Sequence, residues 1–175
     1  NEIRNEFVAH IAKRTPHYEL CKISQHRIGA TTWGADAGYR ESGLARRLMT
    51  VPGVGPVVAL SFIATLDNAE RFRRSRDVGA FLGLTPRRHQ SGDMDWSGRI
   101  SKCGDRDLRR LLYSAATTLI TQVRKPSQLR AWAKRLQDRK GFKKAAVAAS
   151  RKLAVVMMCI WRDQTVFEPG KELIT

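Results

Sequence analysis

Between Asp105 and Val123 the apolar residues Leu108, Leu111, Leu112, Ala115, Ala116, Leu119 and Ile120 recur at three- and four-residue spacings. That period matches the turn of an α-helix and leaves one apolar stripe that must bury itself against other elements. Asp105 and Asp107 open the pattern, where acids suit the N-cap and the positive end of the helix dipole. Two further helical patterns follow. Pro126 restarts the chain, and Leu129, Trp132, Ala133 and Leu136 form a second stripe whose other face carries Arg130, Lys134, Arg135 and Arg139. Gly141 is placed to stop that helix. From Phe142 to about Asp163 the third pattern becomes apolar nearly all round in its second half, which marks it as central to a core.

Upstream, Leu44, Leu48 and Met49 lead into Val51-Pro52-Gly53-Val54-Gly55-Pro56 and then an apolar stretch from Val57 to Leu66. This order predicts helix, tight glycine hairpin, helix. Asp77 to Leu84 reads as a further short helix ending near Gly83. The stretch from Thr85 to Gly104 is polar and rich in turn formers, and is expected as an exposed loop or a short hairpin. Residues 2–14 put Ile3, Phe7 and Ile11 on one helical face, while Thr15 to Gly43 shows no sustained period. The expected fold is therefore all-α, a helix-hairpin-helix element plus a helical bundle, with a long polar segment carrying Ser91. Residues 1–43 form an N-terminal helix and irregular linker, the remnant of an upstream region, and 44–175 form one domain with the hairpin at about 44–66.

Charge narrows the class of partner. The 175 residues include 32 Lys and Arg against 16 Asp and Glu, a formal net charge of +16. Such an excess suits a polyanion, because each cation that meets a phosphate releases condensed counterions. No N-terminal signal and no membrane-length apolar run are visible, the longest being Leu153 to Trp161. A span would need about 20 apolar residues. Cys21, Cys103 and Cys159 are scattered and odd in number, which argues against a disulfide framework or a zinc site. The chain is expected in the reducing cytoplasm, without a membrane role.

Three segments could act on a polyanion. In the Val51–Pro56 hairpin, Gly53 and Gly55 leave room for backbone N–H groups to approach a phosphate beside a helix N-terminus. Arg71, Arg73, Arg74 and Arg76 form the densest local cluster, and guanidinium forks suit phosphate oxygens. Ser91 lies between Gln90 and Gly92, near Arg87, Arg88 and His89 and upstream of Arg99 and Lys102. A hydroxyl attacking a phosphodiester needs something to take its proton and cations to stabilise the charged transition state. By residue type alone, a serine beside glycine is more often a turn former than a nucleophile. No carboxylate set has the look of a metal site, so no metal is expected to be held by this chain.

From Leu48 to about Trp161 the chain resembles the C-terminal domain of the insertion-sequence one-ten, one-sixteen and nine-oh-two transposases, whose relatives include the Piv-type DNA invertases. The resemblance is carried by Met49-Thr50-Val51-Pro52-Gly53-Val54-Gly55, by Phe81-Leu82-Gly83-Leu84-Thr85-Pro86-Arg87-Arg88 and by Gln90-Ser91-Gly92. Ile100-Ser101-Lys102-Cys103-Gly104 and Leu108-Arg109-Arg110-Leu111-Leu112 complete the series. It implies that Ser91 is the catalytic serine of strand cleavage and exchange in transposition, forming a covalent phosphoserine link to DNA. It also implies an N-terminal ribonuclease-H-like domain, absent from this chain, whose four acidic residues bind a divalent metal such as Mg. A structured guide RNA and assembly into a homo-oligomer are further implications. Thr15 to Gly43 departs from the long charged helix that the family carries before the hairpin, a departure that a frameshift remnant or degraded gene copy would explain. The alternative reading is a non-catalytic helix-hairpin-helix module binding DNA or RNA, in which Ser91 is only a turn residue.

Overall fold

A computed structural model describes residues 42–91 and 94–170 of the chain. The expected N-terminal helix at 2–14 and the linker lie outside these residues, apart from Ser42 and Gly43. Six α-helices and one two-stranded hairpin make up the described fold: α1 (Gly43–Leu48), α2 (Pro56–Leu66), α3 (Asp77–Phe81), β1 (Pro86–Ser91), β2 (Met94–Ile100), α4 (Arg106–Thr121), α5 (Gln128–Lys140) and α6 (Phe142–Asp163). A single 3-10 turn, Ala69–Arg71, follows α2. The described part of the chain is thus mostly helical, as the sequence pattern requires.

Local chemistry sets the helix ends. Asp105 caps α4 by accepting from the Leu108 N–H, and Ser127 caps α5 by accepting from that of Arg130. Pro56 occupies the first turn of α2, where its missing N–H is no loss. Gly141, at φ 82°, both ends α5 and starts α6, turning the chain in a left-handed conformation that favours glycine.

The core forms around α6, which packs against α4, α5, α3 and α1. Leu108, Leu112, Ala116 and Leu119 of the α4 stripe are buried against it, together with Leu153, Met157 and Met158 of α6. Alanines 145, 146, 149 and 154 are fully buried and allow neighbouring helices to approach α6 closely. The buried Ser150 is satisfied by donating to the Ala146 carbonyl at 2.7 Å, so it leaves no orphaned polar group in the core.

After α6 the chain turns back as a strap. The Phe167 N–H donates to Thr50 Oγ1 at 2.8 Å, and the Pro169 carbonyl accepts from the Gln128 N–H at 3.1 Å. Arg47 of α1 also donates to Gln164 Oε1. The strap ties the α1–α2 turn to the start of α5, a long-range relationship that no local periodicity announces.

Candidate nucleic-acid interface

The polar segment carrying Ser91 is an antiparallel hairpin. Its register pairs Pro86 with Ile100 at the base and Ser91 with Met94 at the far end. One irregularity interrupts it: between the Pro86 and Arg88 pairs, Gly98 and Arg99 of β2 together face Arg87. Such a bulge bends a strand and re-aims its side chains. Five residues at a strand rise of about 3.3 Å place Ser91 roughly 16 Å beyond Pro86. Ser91 is exposed at this end, and His89 lies opposite Trp96 in the register.

The hairpin base is fixed to the helical body by close backbone contact. A methyl group at Gly104 would stand 2.1 Å from the Phe81 carbonyl oxygen, and Gly104 has φ 82°. Ser101 and Lys102 donate from their backbones to the carbonyls of Thr85 and Gly83, at 2.9 and 3.0 Å. Arg109 of α4 completes the clamp. Its Nη1 lies 3.0 Å from the Leu82 carbonyl, 3.0 Å from that of Cys103 and 3.2 Å from that of Asp105. Arg87 adds a bond from Nη2 to the Ser101 carbonyl at 3.2 Å. The hairpin therefore projects from a rigid root.

Beside that root lies a groove of about 940 Å³, walled by the hairpin base, by Trp132 of α5 and by the first half of α6. Arg76, Arg99 and Lys102, three of the cations singled out in the sequence, line it. Lys143, Lys144, Arg151 and Lys152 of α6 line it too, so among the described residues seven cations and no carboxylate surround the space. These four lysines and arginines escaped the sequence reading. The signal was present: positions 143, 144, 147, 148, 151, 152 and 155 form one stripe at helical spacing, but α6 was read by its apolar second half. Leu84, Ile100, Val147 and Val155 supply apolar surface between the charges. The Lys152 ammonium lies 5.7 Å from the centre of the Trp132 ring, within cation–π range. Desolvation by burial pushes the Lys152 pKa below the usual 10.5, with the nearby Cys159 acting in the opposite direction.

The other expected cations go elsewhere. Arg71 reaches back to the Leu66 carbonyl at 3.4 Å, against the C-terminal end of α2. Arg73, Arg74 and Arg88 are exposed. The two hairpin glycines also part company. Gly53, at φ 89°, faces α4, where an added methyl would stand 2.5 Å from the Ala115 carbonyl oxygen. Its lack of a side chain is required by helix packing. Gly55 opens on free space, with nothing within 4 Å of a methyl there. Among the described residues, no backbone acceptor receives the N–H groups of Gly53, Gly55, Val57 or Val58. Those donors stand beside the N-terminus of α2, the arrangement that suits a phosphate.

Among the described residues no group of three His, Cys, Asp or Glu side chains stands together as a metal site. No described helix is long and apolar enough to cross a membrane.

Comparison with known proteins connects these elements. A family model described as "Transposase IS116/IS110/IS902 family" matches residues 45–133, from α1 through the hairpin and its clamp into α5. The chain is 36% identical over 126 residues to the transposase for insertion sequence element IS1111A of Coxiella burnetii, covering 71% of this chain and 35% of that protein. It is 34% identical over 124 residues to the transposase for insertion sequence element IS1328 of Yersinia enterocolitica, covering 70% of this chain and 37% of that protein. To the pilin gene-inverting protein of Moraxella lacunata it is 27% identical over 135 residues, covering 76% of this chain and 40% of that protein. The chain thus spans well under half the length of these curated relatives.

Proposed function

Because the chain belongs to the IS116/IS110/IS902 transposase family, we propose that it is the C-terminal, nucleic-acid-handling part of an insertion-sequence transposase, and that Ser91 is its nucleophile toward DNA. The observation that carries this reading is the placement of Ser91, exposed at the free end of a hairpin whose root is clamped by Arg109 and flanked by a cationic groove. A nucleophile that must reach a phosphorus inside a duplex backbone gains from such reach and from a fixed origin.

In this reading, DNA lies against the basic surface, with the N–H groups at the start of α2 holding a phosphate without reading sequence. Ser91 Oγ loses its proton and attacks the phosphorus. The bond from phosphorus to the sugar oxygen breaks, that oxygen takes up a proton, and the strand is left joined to the protein as a phosphoserine. Attack by a second strand end on this link frees the serine and completes exchange. Cations near the phosphate stabilise the charge that builds on its oxygens. The described residues offer no donor set for the divalent metal that the family resemblance implies. That metal belongs to a Piv-like acidic domain elsewhere in the protein. A structured guide RNA and a homo-oligomer complete the proposed assembly.

The test joins this chain to an N-terminal acidic domain of the family and supplies DNA carrying the element's ends. Covalent protein–DNA adducts are expected, and Ser91→Ala abolishes them while leaving DNA affinity in place. Adducts that persist in Ser91→Ala would mean that another group attacks. The non-catalytic helix-hairpin-helix reading is favoured only if the joined protein binds DNA and never forms an adduct.

A further inference from the structure

We propose that the groove between the hairpin root and α6 seats a single-stranded stretch of nucleic acid, with its phosphates on the cationic rim and its bases on the apolar floor. The inference rests on the nucleic-acid reading above but not on the chemistry assigned to Ser91.

The composition of the groove separates it from the exposed arginines elsewhere. A duplex presents phosphate and sugar to whatever it rests on, and a flat cationic surface is enough to hold it. This groove pairs its seven cations with an apolar floor of Leu84, Ile100, Val147 and Val155 and with the ring of Trp132. An apolar floor is wasted on a stacked duplex, whose bases face one another. It matches an unstacked strand, whose bases carry apolar faces and whose backbone carries one charge per residue. The volume, about 940 Å³, lies in the upper part of the range of roughly 300–1,000 Å³ for concave ligand sites. Among the described residues, the lining holds no carboxylate to repel a phosphate.

Two features show how the seat is held in shape. Arg151 lays its stem across Gly79 of α3, with Cγ 3.0 Å from where a methyl would stand, which fixes the course of one cation. The Gly98–Arg99 bulge lies in the groove wall, and both residues line the space. Because the groove adjoins the root of the hairpin and Ser91 its far end, a strand leaving the groove along the hairpin runs toward Ser91.

The experiment uses the 175-residue chain and three fluorescent probes: a twelve-residue oligothymidylate, a twelve-residue oligouridylate and a twelve-base-pair DNA duplex. Anisotropy titrations compare the parent with Trp132→Ala and with Lys143→Gln/Lys144→Gln, both checked by thermal melting. Trp132→Ala is expected to weaken single-strand binding about tenfold, the loss of one stacking contact, and to change duplex binding less than twofold. Trp132→Phe restores most of the loss. The double lysine variant, altered only at exposed positions, is expected to lower the salt slope for the single strand by about 1.4, at about 0.7 per phosphate contact. If DNA and RNA strands differ, the tighter one identifies the source of the occupant. Equal losses for strand and duplex, no loss for either, or displacement of the strand by polyglutamate as readily as by unlabelled oligonucleotide would each overturn the groove assignment while leaving nucleic-acid binding intact. A parent chain that binds none of the three probes overturns the nucleic-acid reading with it.

Discussion

Gly83 and Cys103 meet backbone to backbone: a methyl group on Gly83 would stand 2.1 Å from the Cys103 carbonyl oxygen and 2.5 Å from its nitrogen. Gly83 also has φ 66°, in the left-handed region. Both facts demand glycine, the first for space and the second for conformation. This contact joins the turn after α3 to the segment after β2, and so determines how the hairpin leaves the body. Gly83→Ala is expected to destabilise the chain by about 3 kcal/mol or more, combining backbone strain with displacement of main chain. Thermal denaturation should show a midpoint lower by roughly 10 °C, and a variant that melts with the parent would show that the hairpin root is not under this constraint.

Arg109 acts on the same root through charge. One guanidinium nitrogen serves the carbonyls of Leu82, Cys103 and Asp105; truncation removes that donor from Leu82 and Cys103 at a cost of about 1–3 kcal/mol, while Asp105 keeps the Arg109 backbone N–H. Arg109→Ala should therefore loosen the hairpin before it unfolds the bundle. Native-state hydrogen exchange reads this directly: the Ser101 and Lys102 amides, which bond to Thr85 and Gly83, lose protection, while amides in the middle of α6 keep theirs. Uniform loss along the chain would instead make Arg109 a residue of global stability.

The helices were legible in the sequence because their evidence is local. The α4 stripe from Leu108 to Ile120 and its Asp105 cap were both readable, and α6 spans the expected Phe142–Asp163. The hairpin at 86–100 reads in sequence only as a loop or a strand pair, since pairing is a property of two segments and Arg87 to Ser91 is polar throughout. Gly53 has a neighbour that its spacing does not announce: its φ and its contact with Ala115 serve packing on α4, while its N–H stands beside the start of α2. The proposal of Ser91 rests on the order of flanking motifs, while local chemistry alone says little in its favour. Arg109 is hidden because Leu82, whose carbonyl it holds, is 27 residues away in sequence; the cationic stripe of α6 is local, but its role depends on Arg76 and the hairpin root, which only the fold brings beside it.

The C-terminal strap gives a third prediction. Thr50→Val removes the oxygen that accepts from the Phe167 N–H and is expected to cost about 1 kcal/mol, the usual worth of one such bond. Ending the chain at Asp163 also removes Phe167, which packs against the core, and the cover over Gln128. That truncation should cost more than Thr50→Val, and urea denaturation of the two measures the difference. Equal midpoints would mean that the strap contributes only its single bond to Thr50.

Lys152 makes stability and binding move in opposite directions with pH. Burial lowers its pKa below 10.5 in the folded chain, so near that value the unfolded chain holds the proton more tightly. Stability contributed by this residue therefore rises as pH climbs through the folded-state pKa toward 10.5. Over the same interval the groove loses a positive charge and its hold on an oligonucleotide weakens. In Lys152→Arg, whose guanidinium stays charged, that part of the affinity loss should vanish. Single-strand titrations from about pH 8 to 10, where lysines begin to lose their protons, compare the two chains. Identical pH profiles would remove Lys152 from the groove's charge.

Gly79 separates the shape of the groove from the stability of the fold. It is buried within α3, its φ is ordinary, and a methyl there would come within 3.0 Å of Arg151 Cγ and 3.1 Å of Arg151 Nε. Those atoms belong to a flexible side chain, so the arginine can swing aside without moving backbone. Alanine is the better helix former, by about 1 kcal/mol at an interior position, and it reduces the entropy of the unfolded chain. Gly79→Ala is therefore expected to keep or raise the melting temperature and yet to weaken single-strand binding by about threefold, through a displaced cation. Few substitutions push these two readouts apart in this way. Loss of both would mark Gly79 as a packing position alone, and retention of both would show that the course of the Arg151 side chain does not matter to the groove.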